Sequence, residues 1–306
     1  MFHQIIEVRE EGRYLSLGRG FLIIREHDIE IAKIALDDIA VLLVSAQGVS
    51  LSKNILVELS ERGAITIFCG KNYNPQSIVY PVEGHYHQAG ILKLQIKASI
   101  PFQKNAWRKI IQAKIQNQAK ALKLCGKIKE AKKVALFEAE VKSGDTDNKE
   151  GQAARMYWTS LFGDNFIRNR DEEGINALLN YGYAIMRSAM VRSICASGLN
   201  PSLGVHHKNA LDVFCLADDF FEIYRPLVDC IVYNIAKNST LELNKETKSL
   251  LIKSLWVKMK TTEGTSPAFQ SMHYLTSSFV KALKDKNIEF TLPVWEGQYE
   301  SFSNNE

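Results

Sequence analysis

Val213-Phe-Cys-Leu-Ala-Asp-Asp-Phe-Phe-Glu222-Ile-Tyr-Arg-Pro-Leu-Val-Asp-Cys-Ile-Val-Tyr-Asn-Ile-Ala-Lys237 reads as one long helix that is apolar on nearly every side. A helix of that kind is buried within a larger helical body. Asp219, Glu222, Arg225 and Asp229 cross it at spacings of three, three and four, which puts them on one face. Charges in such a place need ionic partners or a metal. A salt-bridge stripe centred on Arg225 accounts for part of the pattern, and a bound cation accounts for the excess of acid. Pro226 is expected to bend the helix just after the stripe.

Helical patterning extends outward from this segment. Periodicity predicts helices over Pro101–Leu124, Ile128–Lys142, Gly151–Phe162, Ile175–Ser197, Lys245–Lys258 and Met272–Lys284. Residues 1–82 read differently. Short runs of β-branched and aromatic residues at His3–Arg9, Tyr14–Leu17, Phe21–Arg25, Ile39–Ser45, Ala64–Cys69 and Ser77–Pro81 alternate with glycines. One helix interrupts them, with Ile55, Leu56 and Leu59 at helical spacing and Gly63 at its end. The expected fold is therefore α+β. A small sandwich-like β-domain (1–82) is followed by a linker (83–92), a larger all-α domain (93–288) and a mobile tail (289–306). The histidines of His85-Tyr-His87 read as exposed linker residues rather than a second metal pair.

Net charge is +4 over 306 residues, but it is unevenly spread. Residues 93–133 hold twelve Lys/Arg and the single acid Glu130, a local net of +11, which leaves −7 elsewhere. Such a block points to a polyanion, nucleic acid first. Lys104, Arg108, Lys109, Lys114 and Lys120 are its candidate phosphate contacts. The Met-Phe-His-Gln start is not a signal peptide, and no apolar run is long enough for a bilayer. The five cysteines form no CxxC motif, so reduced thiols and a cytoplasmic location are expected.

Two further segments supply metal-ligand types. Glu150 follows the turn-rich Ser143-Gly-Asp-Thr-Asp-Asn-Lys149, where Asp147 or Asn148 can cap a helix. His206-His207 follows the loop Asn200-Pro-Ser-Leu-Gly-Val205. Taken alone, Glu150 is a first-turn acid complementing the helix dipole, and either histidine is a solvated one. Together with Glu222 they offer two carboxylates and an imidazole, a set suited to Mg²⁺ or Mn²⁺. Asn176, Asn180, Tyr183 and Arg187 lie along one side of another helix, as a polar wall beside the metal or a nucleic-acid backbone.

Four motifs occur in order: Glu150-Gly-x-Ala-Ala-Arg-x-Tyr157, Asn176-Ala-Leu-Leu-Asn-Tyr-Gly-Tyr183, Leu203-Gly-Val-His-His-Lys-Asn209 and Asp219-x-x-Glu222-x-x-Arg225-Pro226. With the β-rich start, they resemble the CRISPR-associated spacer-integrase family, the "Cas-one" proteins, most nearly the form found in type II systems. The resemblance implies a homodimer held through the β-domain. It also implies assembly with the small "Cas-two" companion, and contact with double-stranded DNA and with the system's effector nuclease. It places the metal-binding acid, histidine and second acid on Glu150, His207 and Glu222, with Asp219, His206, Asn176, Tyr183 and Arg225 around them. His207 fits the spacing to the second acid better than His206.

The activity so implied is metal-dependent transesterification, in which a DNA 3′-hydroxyl attacks a phosphodiester of the repeat array. No GxxxxGK[ST] motif is present, and the exchange conserves a phosphodiester, so no ATP is required. Two rival readings differ in class. Asp218-Asp219-x-x-Glu222 resembles an acidic Mg²⁺–diphosphate motif of isoprenoid enzymes. Alternatively, the acids are structural ion pairs in a non-catalytic DNA-binding scaffold.

Overall fold

The computed structural model describes residues 4–70, 75–81, 87–169, 172–238, 240–285 and 289–297. They fall into two compact units, Met1–Gln88 and Ala89–Glu306. The first holds β1 (Gln4–Val8), β2 (Arg13–Gly18), β3 (Phe21–Glu26), β4 (Ile29–Ala35), β5 (Ile39–Val44), β6 (Ser50–Leu51), α1 (Lys53–Glu61), β7 (Ile65–Cys69) and β8 (Pro75–Val79). One sheet runs β1-β5-β7-β8, the other β4-β3-β2-β6. β5 is Ile39-Ala-Val-Leu-Leu-Val44, buried at every position, as a central strand covered on both faces should be.

The β-rich unit with one helix is as expected, but the first sheet is not purely antiparallel. β1, β5 and β7 run parallel, because the chain crosses from β5 to β7 through β6 and α1. Leu15, Leu22 and Ile24 of one sheet, Val8, Leu42 and Val44 of the other, and Ile55 and Leu59 of α1 form one core. β4 was not among the expected strands. It is an edge strand whose Ala32 and Ile34 pack on the core, while its Ile29 and Ile31 are 71% and 46% exposed.

The second unit contains α2 (Gln88–Ile96), α3 (Ile100–Leu124), α4 (Ile128–Glu140), α5 (Lys149–Phe162), α6 (Ile175–Ala196), α7 (Cys215–Phe221), α8 (Arg225–Asn238), α9 (Lys245–Ile252) and α10 (Ala268–Lys284). It also contains β9 (Lys258–Thr261), β10 (Gly264–Pro267) and β11 (Val294–Trp295). α3 is central rather than a solvated surface helix. Ala106, Trp107, Ile110, Ile111, Ile115, Ala121 and Leu122 are buried along it.

Four expectations need correction. The second half of the expected linker is helical, since α2 begins at Gln88; His87 is exposed, and His85 lies outside the described residues. The long helix 213–237 is two helices, and the break precedes Pro226 instead of following it. Proline has no N–H to bond the carbonyl of residue 222, and the chain tightens there through Tyr224 N–H to Phe221 O and Leu227 N–H to Tyr224 O. Asn117 of α3 donates from Nδ2 to the carbonyl of Ile223 at 2.8 Å. Lys258–Pro267, read as helix end and loop, is a β-hairpin. The tail is fixed at least to Gly297: Trp295 is 1% exposed and β11 pairs with β9.

Candidate metal centre

Glu150 occupies the first turn of α5. Asn148, the N-cap, accepts from Gly151 N–H at 3.0 Å, and Asp145 accepts from the N–H groups of Lys149 and Glu150 at 2.9 and 3.0 Å. The helix start is thus capped by other residues, and the Glu150 carboxylate turns to α3. There Lys114 donates to Glu150 Oε1 at 2.6 Å, with its Nζ also 2.5 Å from Glu222 Oε2. Glu222 closes α7 and is further paired with Arg225, whose Nε lies 2.9 Å from Oε1. Both contacts to Glu222 are close in distance but off-angle: among the described residues Oε2 has no hydrogen-bond donor.

Charge balance sets the ionisation of this cluster. Burial works against the Glu222 carboxylate, yet Arg225 and Lys114 hold it well below the usual carboxylate range. Burial likewise works against the Lys114 ammonium, and Glu222 and Glu150 hold it above the usual lysine value. Lys114 therefore lies buried against carboxylates instead of on the outward face expected for a phosphate contact.

The loop before α7 is built on Asp219, which is fully buried. Its Oδ2 accepts from Val205 and His206 N–H at 2.6 and 3.0 Å, and its Oδ1 lies 2.6 Å from His207 Nδ1. A side chain at Gly204 would come within 2.5 Å of the His207 carbonyl and 2.8 Å of Asp219 Oδ2, so only glycine fits. His206 stacks flat on buried Trp107 of α3, centroids 4.1 Å apart, while His207 meets that ring edge-on at 5.7 Å. The Asp219 hydrogen bond raises the His207 pKa, whereas burial lowers that of His206. His207 thus has its Nδ1 held by a carboxylate, an arrangement that fixes the ring of ligating histidines.

Of the residues expected along α6, Asn176, Asn180 and Tyr183 meet at Arg168, which donates to Asn180 Oδ1 at 2.6 Å and lies 5.3 Å over the Tyr183 ring, while Arg187 turns elsewhere. Asn176 organises the preceding loop, accepting from Arg168 and Asn169 N–H at 2.9 and 3.1 Å. Tyr183 donates a short hydrogen bond to Asp229, and the Arg225 guanidinium lies 4.9 Å above its ring. Arg187 binds Asp218 at 2.5 and 2.6 Å. Asp218 and Asp219 therefore turn to different partners, Arg187 and the His207 loop, which leaves no shared acidic face for a diphosphate–metal complex. Of the remaining basic candidates, Lys104 is exposed and Arg108 half-buried, bonded to Asn105 Oδ1 at 2.7 Å. Lys109 and Lys120 hold the C-terminal segment, through Glu289 at 2.7 Å and the Trp295 carbonyl at 2.5 Å.

No three Asp, Glu, His or Cys side chains close on a common point among the described residues. The donor set nevertheless fits a divalent cation. An ammonium bridges Glu150 and Glu222, one Glu222 oxygen lacks a directional donor, and His207 is oriented beside them. Sequence reasoning missed Trp107, Asp145 and the bridging position of Lys114. The signal for Lys114 was present, since Trp107, Ile110, Ile111, Lys114 and Ile115 share one helical face.

A β-rich unit joined to a helical unit with an acid–imidazole centre defines the class of this protein. Residues 6–261 match the family described as CRISPR associated protein Cas1. A CRISPR-associated endonuclease Cas1 of Neisseria meningitidis serogroup C is 36% identical over 298 residues, covering 95% of this chain and 97% of the relative. One from Francisella tularensis subsp. novicida is 30% identical over 280 residues, 83% and 86% of the two chains. Among solved structures, a casposase bound to integration product superposes with a TM-score of 0.78 at 17% identity, covering 99% and 96%. A Cas1 protein from Thermotoga maritima does so with a TM-score of 0.75 at 20% identity, covering 92% and 97%. The chain belongs to the Cas1 family of CRISPR-associated endonucleases and is accordingly an enzyme. No helix among its described residues is long and apolar enough to cross a membrane.

Proposed function

We propose that this protein joins short DNA fragments to a CRISPR repeat array, and that Glu150, His207 and Glu222 hold the divalent cation the reaction uses. The observation that carries this reading is the cation-bridged pair: two carboxylates from different helices share one ammonium at 2.6 and 2.5 Å, beside an imidazole oriented by a buried aspartate. A divalent cation held by these residues would supply Lewis-acid chemistry, favouring ionisation of the attacking hydroxyl and offsetting charge that develops on the phosphate oxygens. Glu150 and Glu222 supply anionic oxygens from two sides. His207 presents Nε2 while Asp219 fixes its ring. Arg225, partly buried beside it, keeps Glu222 ionised. Carboxylate-rich ligation suits Mg²⁺, and the imidazole makes Mn²⁺ equally compatible.

Double-stranded DNA lies along the outward face of α3, where Lys104 and Arg108 position phosphates without reading sequence. The β-rich unit holds a homodimer, and the Cas-two companion completes the integrating assembly. Support for these partners comes from solved structures of the same fold, one a casposase bound to integration product and one a Cas6-RT-Cas1–Cas2 complex. The test is an integration assay with the purified protein, its companion, a short duplex and a supercoiled target, with and without Mn²⁺. Covalent joining is expected only with metal and only with Glu150, His207 and Glu222 intact. Wild-type rates in any two folded alanine variants of the three would refute the assignment. His206→Ala is expected to be milder than His207→Ala.

A further inference from the structure

We infer that Lys114 is an exchangeable counter-ion, which holds Glu150 and Glu222 together in the metal-free protein and is expelled when a divalent cation binds. This inference rests on the proposed metal centre. Its basis is geometric and electrostatic. Lys114 Nζ lies 2.6 Å from Glu150 and 2.5 Å from Glu222, the place a cation shared by both carboxylates would take. The pair with Glu222 is close without being a directed hydrogen bond, so the ammonium acts there as a point charge.

The groups in direct contact balance, Glu150 and Glu222 against Lys114 and Arg225, with the Asp219–His207 pair next to them. Adding a dication without losing a cation leaves a surplus of positive charge around side chains that are mostly out of solvent, an expensive arrangement. Release of one cation relieves that surplus, and the structure distinguishes the two. Arg225 is clamped, with its guanidinium 4.9 Å above Tyr183 and 4.8 Å above Phe221. Lys114 is tethered by a flexible stem and bridges Glu222, whose side chain is 7% exposed, and Glu150, whose side chain is 27% exposed. The way out for Lys114 is on the more open side of the site. The same lysine explains how two carboxylates remain side by side in a folded protein before metal arrives.

Two measurements on the full-length protein test this, with Mn²⁺ as the probe. The first is reductive methylation of lysines followed by mass spectrometry, in chelator and in saturating Mn²⁺. Lys114 is expected to react at least about fivefold faster with metal, in proportion to its expelled population, while Lys104 is unchanged. The second is Mn²⁺ titration of Lys114→Met, expected to bind about tenfold more tightly than wild type because a competing cation is gone. The metal-free variant should also melt at a lower temperature. Saturable Mn²⁺ binding with Lys114 still protected would overturn the inference and leave the metal centre standing. Absence of saturable binding that depends on Glu150 would overturn both. If Lys114→Met does not fold, the methylation experiment on wild type decides alone.

Discussion

Glu222 and Asp229 are buried acids seven residues apart, part of a single polar stripe in the sequence, and the structure treats them oppositely. Glu222 faces Lys114 and Arg225, so it is held as a carboxylate despite its burial. Asp229 faces the hydroxyls of Tyr157 and Tyr183, with Arg225 and Arg168 as its nearby cations. Those partners do not offset its desolvation, and its pKa is pushed up to about 7. The difference teaches where chemistry can reside. An acid neutralised by a mobile cation can exchange that cation for a metal. An acid neutralised by hydroxyls in a dry core is a structural tie between α5, α6 and α8.

The largest expected contrast is in activity. Glu222→Ala should lower metal-dependent strand transfer by at least about 10³-fold, whereas Asp229→Asn should stay within about tenfold, since it removes no group that touches substrate. Comparable losses in both variants would erase the distinction. Next comes stability. Glu222→Leu strands Lys114 and Arg225 and should cost about 3–5 kcal/mol. Asp229→Asn keeps hydrogen-bonding capacity and should cost about 1–3 kcal/mol, both read from denaturant unfolding.

The pH dependence sharpens the comparison further. Asp229 in the folded state titrates near 7, well above the unfolded value, so the folded protein binds the extra proton. Its contribution to stability is therefore lost as pH rises from about 4 to about 7 and is flat above that. Asp229→Asn should flatten this part of the profile. An unchanged slope in the variant would show that another group causes it.

The smallest effect separates the two kinds of lysine on α3. Neutralising Lys104 and Arg108 together should weaken binding to unrelated duplexes alike, and should reduce the salt slope by about one unit per lost phosphate contact. Lys114→Met, compared without divalent metal, should leave that slope nearly unchanged, because its ammonium then faces carboxylates. A full unit lost in Lys114→Met would place it among the phosphate contacts after all.

Much of the architecture was legible from period and punctuation. The β-rich start, α1 ending near Gly63, and helices α3 to α6 follow alternation, helical spacing and glycine. Edge strand β4 was not, because its exposed face carries Ile29 and Ile31 where polar residues mark a wet face, and hairpin β9–β10 was not, because four-residue strands leave little pattern in the sequence. The break between α7 and α8 was visible as Pro226 but assigned to the wrong side, since a proline disturbs the turn before it. At the site, residue types and order pointed to Glu150, His207 and Glu222. What sequence order does not show is which cation faces which acid. Lys114 was counted with a basic block because of its charge, although its spacing from Trp107 already placed it on the inner face of α3.

The central claim is that one divalent cation is shared by Glu150, His207 and Glu222. Anomalous diffraction from crystals soaked in Mn²⁺ tests it most directly. The account predicts one strong peak per chain, about 2.1 Å from an oxygen of each glutamate and from His207 Nε2, with the Lys114 ammonium moved away. A peak bound elsewhere, or saturating Mn²⁺ with Lys114 still bridging Glu150 and Glu222 and no peak between them, would contradict it.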